Sequence, residues 1–334
     1  MKKILRIFGF LIIFLVVAVV AGLVYFNSAY PVKIAADDFE NETTADRLAR
    51  GEYLAHHVTG CIDCHSTRDF KYFAGPVVEG TWGKGGQLYD EVLAQVPGKI
   101  YSSNITPAGI GSWTNGELYR AIVSGLNKDN KALFPLMPYT HLAGMTKEDI
   151  LSIMAFIRSL PAIENKVPES SLDFPLNFIV KTIPSPANHP QSIPDKSNSV
   201  EYGKYLTNAA ACIHCHTQSA EGKFLPGMEF AGGFKFTFPN GDVNYSSNIT
   251  PDNETGIGLL SKESFIGMFK AFVDSSGKQI MTHTPEHQKN TVMPWTKLGG
   301  MTEEDLGAIY EYLRTQPAVK NEVTTFVPAG KLSS

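Results

Sequence analysis

The chain has 334 residues (36.6 kDa), 43% of them hydrophobic and 19% charged, with a formal net charge of −4. This length suggests more than one domain, and the composition excludes a disordered chain, a coiled coil and a collagen-like fibre. The mildly acidic balance speaks against nucleic acid as a partner, which would require a basic footprint, and leaves a surface able to attract a basic protein.

The first element is apolar. Residues Ile7 to Phe26 run for twenty positions without a charge. A helix of that length, rising about 1.5 Å per residue, spans a hydrocarbon core of roughly 30 Å. Lys2, Lys3 and Arg6 precede it, and Asp37, Asp38, Glu40 and Glu42 lie beyond its far end. The positive-inside rule then holds the N-terminus in the cytoplasm and places the rest on the periplasmic side of the inner membrane. The reading is an uncleaved anchor over 1–28. The alternative is a signal peptide cut near Ser28-Ala29, but signal cores are shorter, about 7–15 residues.

The remainder is written twice. Tyr101-Ser-Ser-Asn-Ile-Thr-Pro107 recurs as Tyr245-Ser-Ser-Asn-Ile-Thr-Pro251. In the same order Gly51-Glu-Tyr-Leu54 matches Gly203-Lys-Tyr-Leu206, and Cys61-Ile-Asp-Cys-His65 matches Cys212-Ile-His-Cys-His216. Met137-Pro138 matches Met293-Pro294, and Gly144-Met-Thr-Lys-Glu-Asp149 matches Gly300-Met-Thr-Glu-Glu-Asp305. A period this long implies two duplicated domains rather than a solenoid. The expected organisation is the anchor, a first domain over 40–160, a linker over 161–199, a second domain over 200–317 and a tail over 318–334. The linker carries seven prolines and reads as extended, its apolar stretch Phe174–Val180 packing on a domain surface.

Each copy reads as helical. Thr146 and Thr302 are N-caps, with Asp149 and Asp305 three positions on as capping-box variants. Ile150, Ile153, Met154 and Ile157 form an apolar stripe, as do Leu306, Ile309, Tyr310 and Leu313. Pro161 and Pro317 close these last helices. Middle helices are expected near Asn115–Leu126 and Lys262–Val273. Gly51 and Gly203 in the first helices suggest close helix crossings, with Phe156 and Tyr312 filling the gap. The fold class is all-α: two tandem haem domains, as the cysteines show, behind one transmembrane helix.

All four cysteines fall in two Cys-x-x-Cys-His units. Cys61 and Cys64, like Cys212 and Cys215, stand at i and i+3 on one turn, where two thiols can form thioethers with the vinyl groups of a porphyrin. The following His65 and His216 then face the iron. A zinc ribbon fits a reducing compartment better, a dithiol redox pair needs no histidine, and domains with real helices need no disulfide framework. The reading is two covalently bound c-type haems.

Two methionine columns compete for the sixth ligand position. Met145 and Met301 precede the N-cap threonines and can staple onto Ile150 and Leu306. Met137 and Met293 precede proline in loops, 72 and 77 residues past their histidines, and are assigned to the iron. A longer segment before Met293 holds Met281, His283 and His287, read as a solvated loop. His56, His57, His141, His189 and His214 are read as surface or packing residues. Asn104 and Asn248 have two readings of equal weight: hydrogen bonding to a haem propionate, or simple turn and cap formation. Trp113 is replaced by Leu260 in the second copy, so the two haem surroundings should differ.

This order of motifs, with the Phe-Pro-Leu-Asn connector, resembles the multihaem cytochrome c subunits of membrane-bound alcohol and aldehyde dehydrogenases. The resemblance covers about residues 45 to 320; two haem motifs stand where that family usually carries three. It implies class I-type cytochrome domains with His/Met iron, and electron transfer from a periplasmic dehydrogenase toward a quinone or oxidase. The partners expected are a dehydrogenase or quinol-oxidising complex on one side and a soluble cytochrome c or oxidase on the other. The chain is expected to be no enzyme on its own. The alternative is a dihaem cytochrome c peroxidase, which needs an iron with an open position and acid–base groups beside it. Both copies keep Met-Pro, without a matched acid–base pair nearby.

Overall fold

The computed structural model describes residues 2–220, 222–275 and 278–331. Helix α1 (Lys2–Ala29) buries none of its residues against the rest of the chain, and from Ile7 to Phe26 it has no charged face. Two similar helical units follow, and the short helix α7 lies between them. The first holds α2 (Ala45–Tyr53), α3 (Cys61–Cys64), α4 (Asn115–Ser124), α5 (Tyr139–Leu142) and α6 (Lys147–Ser159), followed by α7 (Leu176–Ile179). The second holds α8 (Ser199–Ala209), α9 (Cys212–His216), α10 (Lys262–Lys270), α11 (Trp295–Leu298) and α12 (Glu303–Arg314).

The expectation of a wholly helical chain needs loosening. Strands β1 (Leu88–Asp90), β2 (Gly98–Tyr101) and β3 (Ser171–Leu172) form one antiparallel ribbon. After the short hairpin β4 (Ser219–Ala220) and β5 (Lys223–Phe224), β6 (Lys235–Thr237), β7 (Val243–Tyr245) and β8 (Phe326–Val327) repeat that ribbon. Both ribbons lead into the Tyr-Ser-Ser-Asn-Ile-Thr-Pro loops. The chain after each last helix therefore closes back on its own unit. Asn104 Nδ2 donates to Ile163 O and Asn248 Nδ2 to Val319 O, at 2.8 and 2.7 Å. The connector is also not wholly extended: α7 begins straight after Pro175, where proline's missing N–H costs a helix nothing.

The helix-crossing glycines behave as their sequence context suggests. A Cβ at Gly51 would collide with the Ser152 carbonyl, and Phe156 lies beside it. At Gly203 the obstruction is the backbone of Ala308 and Ile309, rather than the Tyr312 ring that the sequence suggested. α2 thus packs on α6 and α8 on α12, each at backbone distance.

The two units share one core, and their contact is reciprocal. Thr146 and Thr302 accept from the Asp149 and Asp305 N–H groups as N-caps, but the two carboxylates do not complete capping boxes. They reach across instead. Tyr205 OH donates to Asp149 at 2.6 Å and Tyr53 OH to Asp305 at 2.5 Å. The same two hydroxyls accept from Thr146 N–H and Thr302 N–H. Within each unit Asp149 is held by Arg50 and Asp305 by Tyr202.

One residue separates the units at their first helices. Gly51 to Cys61 spans ten steps and Gly203 to Cys212 nine. The first unit absorbs the extra residue in a π-helical turn, Leu54–Val58, closed by Thr59 N–H donating to Leu54 O. His57 and Asn208 then occupy matching positions, donating to the Lys297 and His141 carbonyls, both at 3.0 Å.

Candidate haem site

Both Cys-x-x-Cys-His turns open into one continuous cavity of about 1160 Å³. Its lining holds Cys61, Cys64 and His65 together with Cys215 and His216, and both Met137 and Met293. Cys212 packs at its margin against the core. The four thiols are free of disulfides, and among the described residues no three His, Cys, Asp or Glu side chains are grouped to hold a bare metal ion. Desolvation by the surrounding protein pushes the Cys212 and Cys215 thiols up to about 11.

The two histidines are held alike. His65 Nδ1 lies 2.7 Å from Ser103 O, and His216 Nδ1 lies 2.7 Å from Ser247 O. A carbonyl can only accept, so Nδ1 carries the proton and Nε2 keeps a free lone pair. Burial lowers the pKa of both imidazoles against the opposing effect of these carbonyls, which keeps them neutral. A neutral, oriented Nε2 is what an iron ligand requires.

The loop that does this is pinned from behind. His65 O accepts from Gly85 N–H and His216 O from Gly232 N–H, each at 2.7 Å. Both glycines have φ near the left-handed region, +69° and +77°, and a Cβ on either would strike the Ser103 or Ser247 backbone. The repeated Asn-Ile-Thr-Pro motif builds the turn: Asn104 Oδ1 accepts from Thr106 N–H and Oγ1, and Asn248 Oδ1 from the same groups of Thr250. Their side chains thus build the turn and tie it to the returning chain, as the turn reading expects, and Asn248 also borders the cavity. The serine carbonyls and the paired glycines that orient the histidines were missed by side-chain reasoning; the seven-residue identity around Ser103 and Ser247 was a signal for the serines alone.

The methionine columns separate. Met145 and Met301 are 0% exposed in the core, whereas Met137 and Met293 line the cavity. The longer segment before Met293 is more than a solvated loop. Phe73 N–H donates to Thr282 O and Thr284 N–H to Lys71 O, and Asn290 accepts from Ala74 N–H, so it clasps the first unit. His283 stacks edgewise on Tyr72, and His287 pairs with Asp242 at 2.9 Å. Trp113 and Leu260 both pack against the core, and Leu260 also lines the cavity.

The remaining histidines lie in packing positions. His56 sits against Trp82 and Phe156, His189 bonds Tyr119 and the Met145 carbonyl, and His141 contacts His214 across the seam between units. The donor set, the two oriented imidazoles and an apolar-walled cavity fit c-type haem, which Cys61, Cys64, Cys212 and Cys215 would hold.

No family model matches the chain. Comparison with known proteins gives the same chemistry as the geometry. The cytochrome c subunit of a quinone alcohol dehydrogenase from Gluconobacter oxydans is 26% identical over 81% of this chain and 55% of its own length. A fructose dehydrogenase cytochrome subunit from Gluconobacter japonicus is 27% identical over 86% of this chain and 57% of its own. A protein from Cereibacter sphaeroides named diheme cytochrome c-type is 27% identical over 92% of this chain and 97% of its own. The chain thus spans a little over half the length of the two dehydrogenase subunits and nearly all of the third. The resemblance to cytochrome c subunits of dehydrogenases, drawn from the motifs, is the one the comparisons return. The peroxidase alternative gains no support from these names.

Proposed function

We propose that this chain is a membrane-anchored dihaem cytochrome c. It relays electrons on the periplasmic face between a dehydrogenase or quinol-oxidising complex and a downstream cytochrome or oxidase. The observation that carries this reading is the duplicated site: two cavity-facing histidines, each fixed through Nδ1 by a serine carbonyl, with a methionine of each copy on the same cavity. Haem supplies the one-electron chemistry. The cysteines would attach it, His65, His216, Met137 and Met293 would ligate its iron from the cavity wall, and burial and charge would tune its potential. Haem held by a histidine and a methionine in this way would offer substrate no open position.

The anchor reading rests on α1 and on what adjoins it. An 18-residue window of α1 has mean hydropathy 3.2. At its C-terminal end the Phe178 ring lies 5.7 Å from Phe26, and Lys181 Nζ donates to Asn27 Oδ1 at 2.7 Å. Phe174 beside it is 80% exposed. The connector thereby extends the apolar surface at the level where an interfacial belt would sit.

The test uses full-length protein made with the haem-attachment machinery. Its denatured mass should carry two haems, and Cys64→Ser or Cys215→Ser should weaken attachment at that motif alone. The reduced protein should pass electrons to a soluble cytochrome c more slowly at high salt, and should neither bind cyanide nor turn over peroxide. One haem, or cyanide binding with peroxide turnover, overturns the reading.

A further inference from the structure

Lys297 stands where the repeat has His141. The two occupy the same place after Met-Pro, in Met293-Pro-Trp-Thr-Lys297 and Met137-Pro-Tyr-Thr-His141. Their surroundings diverge. His141 Nδ1 lies 2.7 Å from Asn208 Oδ1, and its ring is 4.4 Å from His214 in the second attachment turn. Lys297 reaches the other way across the seam. A Cβ built at Gly60, the residue before Cys61, would lie 2.7 Å from Lys297 Nζ.

This lysine is only 8% exposed, yet its ammonium has no hydrogen bond or ion pair among the described residues. It lines the cavity. The other charged groups on that cavity are accounted for: Asp63 and Arg68 pair at 3.3 Å, and Lys289 is exposed to solvent. The Lys297 ammonium faces the cavity, where a group filling the site would take water away from it. Its charge acts on both attachment turns, on Cys212 and Cys215 as well as on Cys61 and Cys64, so what sets the first turn apart is contact. Its head lies against the first turn, beside Gly60.

We propose that Lys297 is a fixed charge that raises the potential of the haem on Cys61 and Cys64 relative to its partner, so that electrons entering the pair settle there. A ferric haem gains one electron on reduction, so a nearby positive charge favours the reduced form. The weak screening of a protein interior makes one such charge count. The duplicated fold thereby holds two unequal sites, one beside an unpaired ammonium and one beside an imidazole held by asparagine.

The inference rests on the dihaem reading, and its test keeps the two apart. Potentiometric titration of the full-length holoprotein in detergent resolves two one-electron steps. Cys64→Ala, which leaves one vinyl group unreacted and shifts that haem's α-band, assigns the step of the first site. Lys297→Gln should lower the first-site potential by about a tenfold change in its one-electron equilibrium, about 59 mV. The second site should move less. Lys297→Arg should keep most of the effect, and His141→Lys should raise the second site. Absence of covalent haem at either motif in the parent protein sinks the dihaem reading itself. Two haems with unmoved potentials in a folded Lys297→Gln variant, or equal shifts in Lys297→Gln and Lys297→Arg, overturn the role of the charge.

Discussion

At the scale of single residues, the two methionine columns are the sharpest contrast. Met137 and Met293 border the cavity; Met145 and Met301 are sealed in the core before the N-caps. Met137→Ala and Met293→Ala are each expected to remove part of the near-infrared sulfur-to-iron band and to lower one haem potential, because a thioether ligand favours the ferrous state. Met145→Ala and Met301→Ala should leave the band and cost about 2–5 kcal/mol of stability through the cavity they open. Loss of the band in the second pair would reverse the assignment. The cysteines, histidines and both methionine columns were readable because side-chain chemistry and spacing identify them. Ser103 and Ser247 were not, because they act through backbone carbonyls that any residue carries. Lys297 was also silent in the sequence: nothing in its spacing shows that it crosses to the other unit.

At the scale of elements, the helices were legible from their caps and stripes, and the strands were not. β3 and β8 are two residues each and take their partners from more than sixty residues away in sequence, so no local alternation marks them. The π-helical turn of the first unit was encoded only as a one-residue difference between copies. The glycine crossings were legible in kind, since a glycine on a helix face is otherwise a cost. They carry a direct test. Gly51→Ala and Gly203→Ala set a methyl against the carbonyls of Ser152 and Ala308, which are backbone and cannot rotate aside. Each should destabilise its unit by about 1–3 kcal/mol in thermal unfolding despite alanine's better helix propensity. A neutral or stabilising outcome would mean that α2 and α6, or α8 and α12, do not approach at backbone distance.

At the scale of the whole molecule, two similar units are joined by reciprocal bonds, Tyr53 to Asp305 and Tyr205 to Asp149, and by histidines gathered near the seam. This geometry makes stability depend on pH. Burial is the main cause that lowers His56 from 6.5 to about 4, with His57 adding to it, and His56 Nε2 has no hydrogen-bond partner among the described residues. Burial likewise lowers His214 to about 4, with His141 adding to it. Both imidazoles are therefore neutral when folded, but in the unfolded chain they take up protons near pH 6.5. Between those two values the unfolded state binds more protons, so stability rises with pH. The contribution is full above pH 6.5 and is lost as pH falls toward 4; for each group it is on the order of 3 kcal/mol at the limit. His287 runs in the opposite sense. Its bond to Asp242 raises its pKa, so it fastens the clasp below the unfolded value and releases it as pH climbs through the folded one. Thermal unfolding of the holoprotein in detergent, followed by circular dichroism, should show the midpoint falling from pH 6.5 to 4. Replacing His56 or His214 with Asn should flatten that slope. A midpoint level across the window in the parent protein would mean that these imidazoles are solvated, and the packing of the seam around His141 and His214 would have to be redrawn.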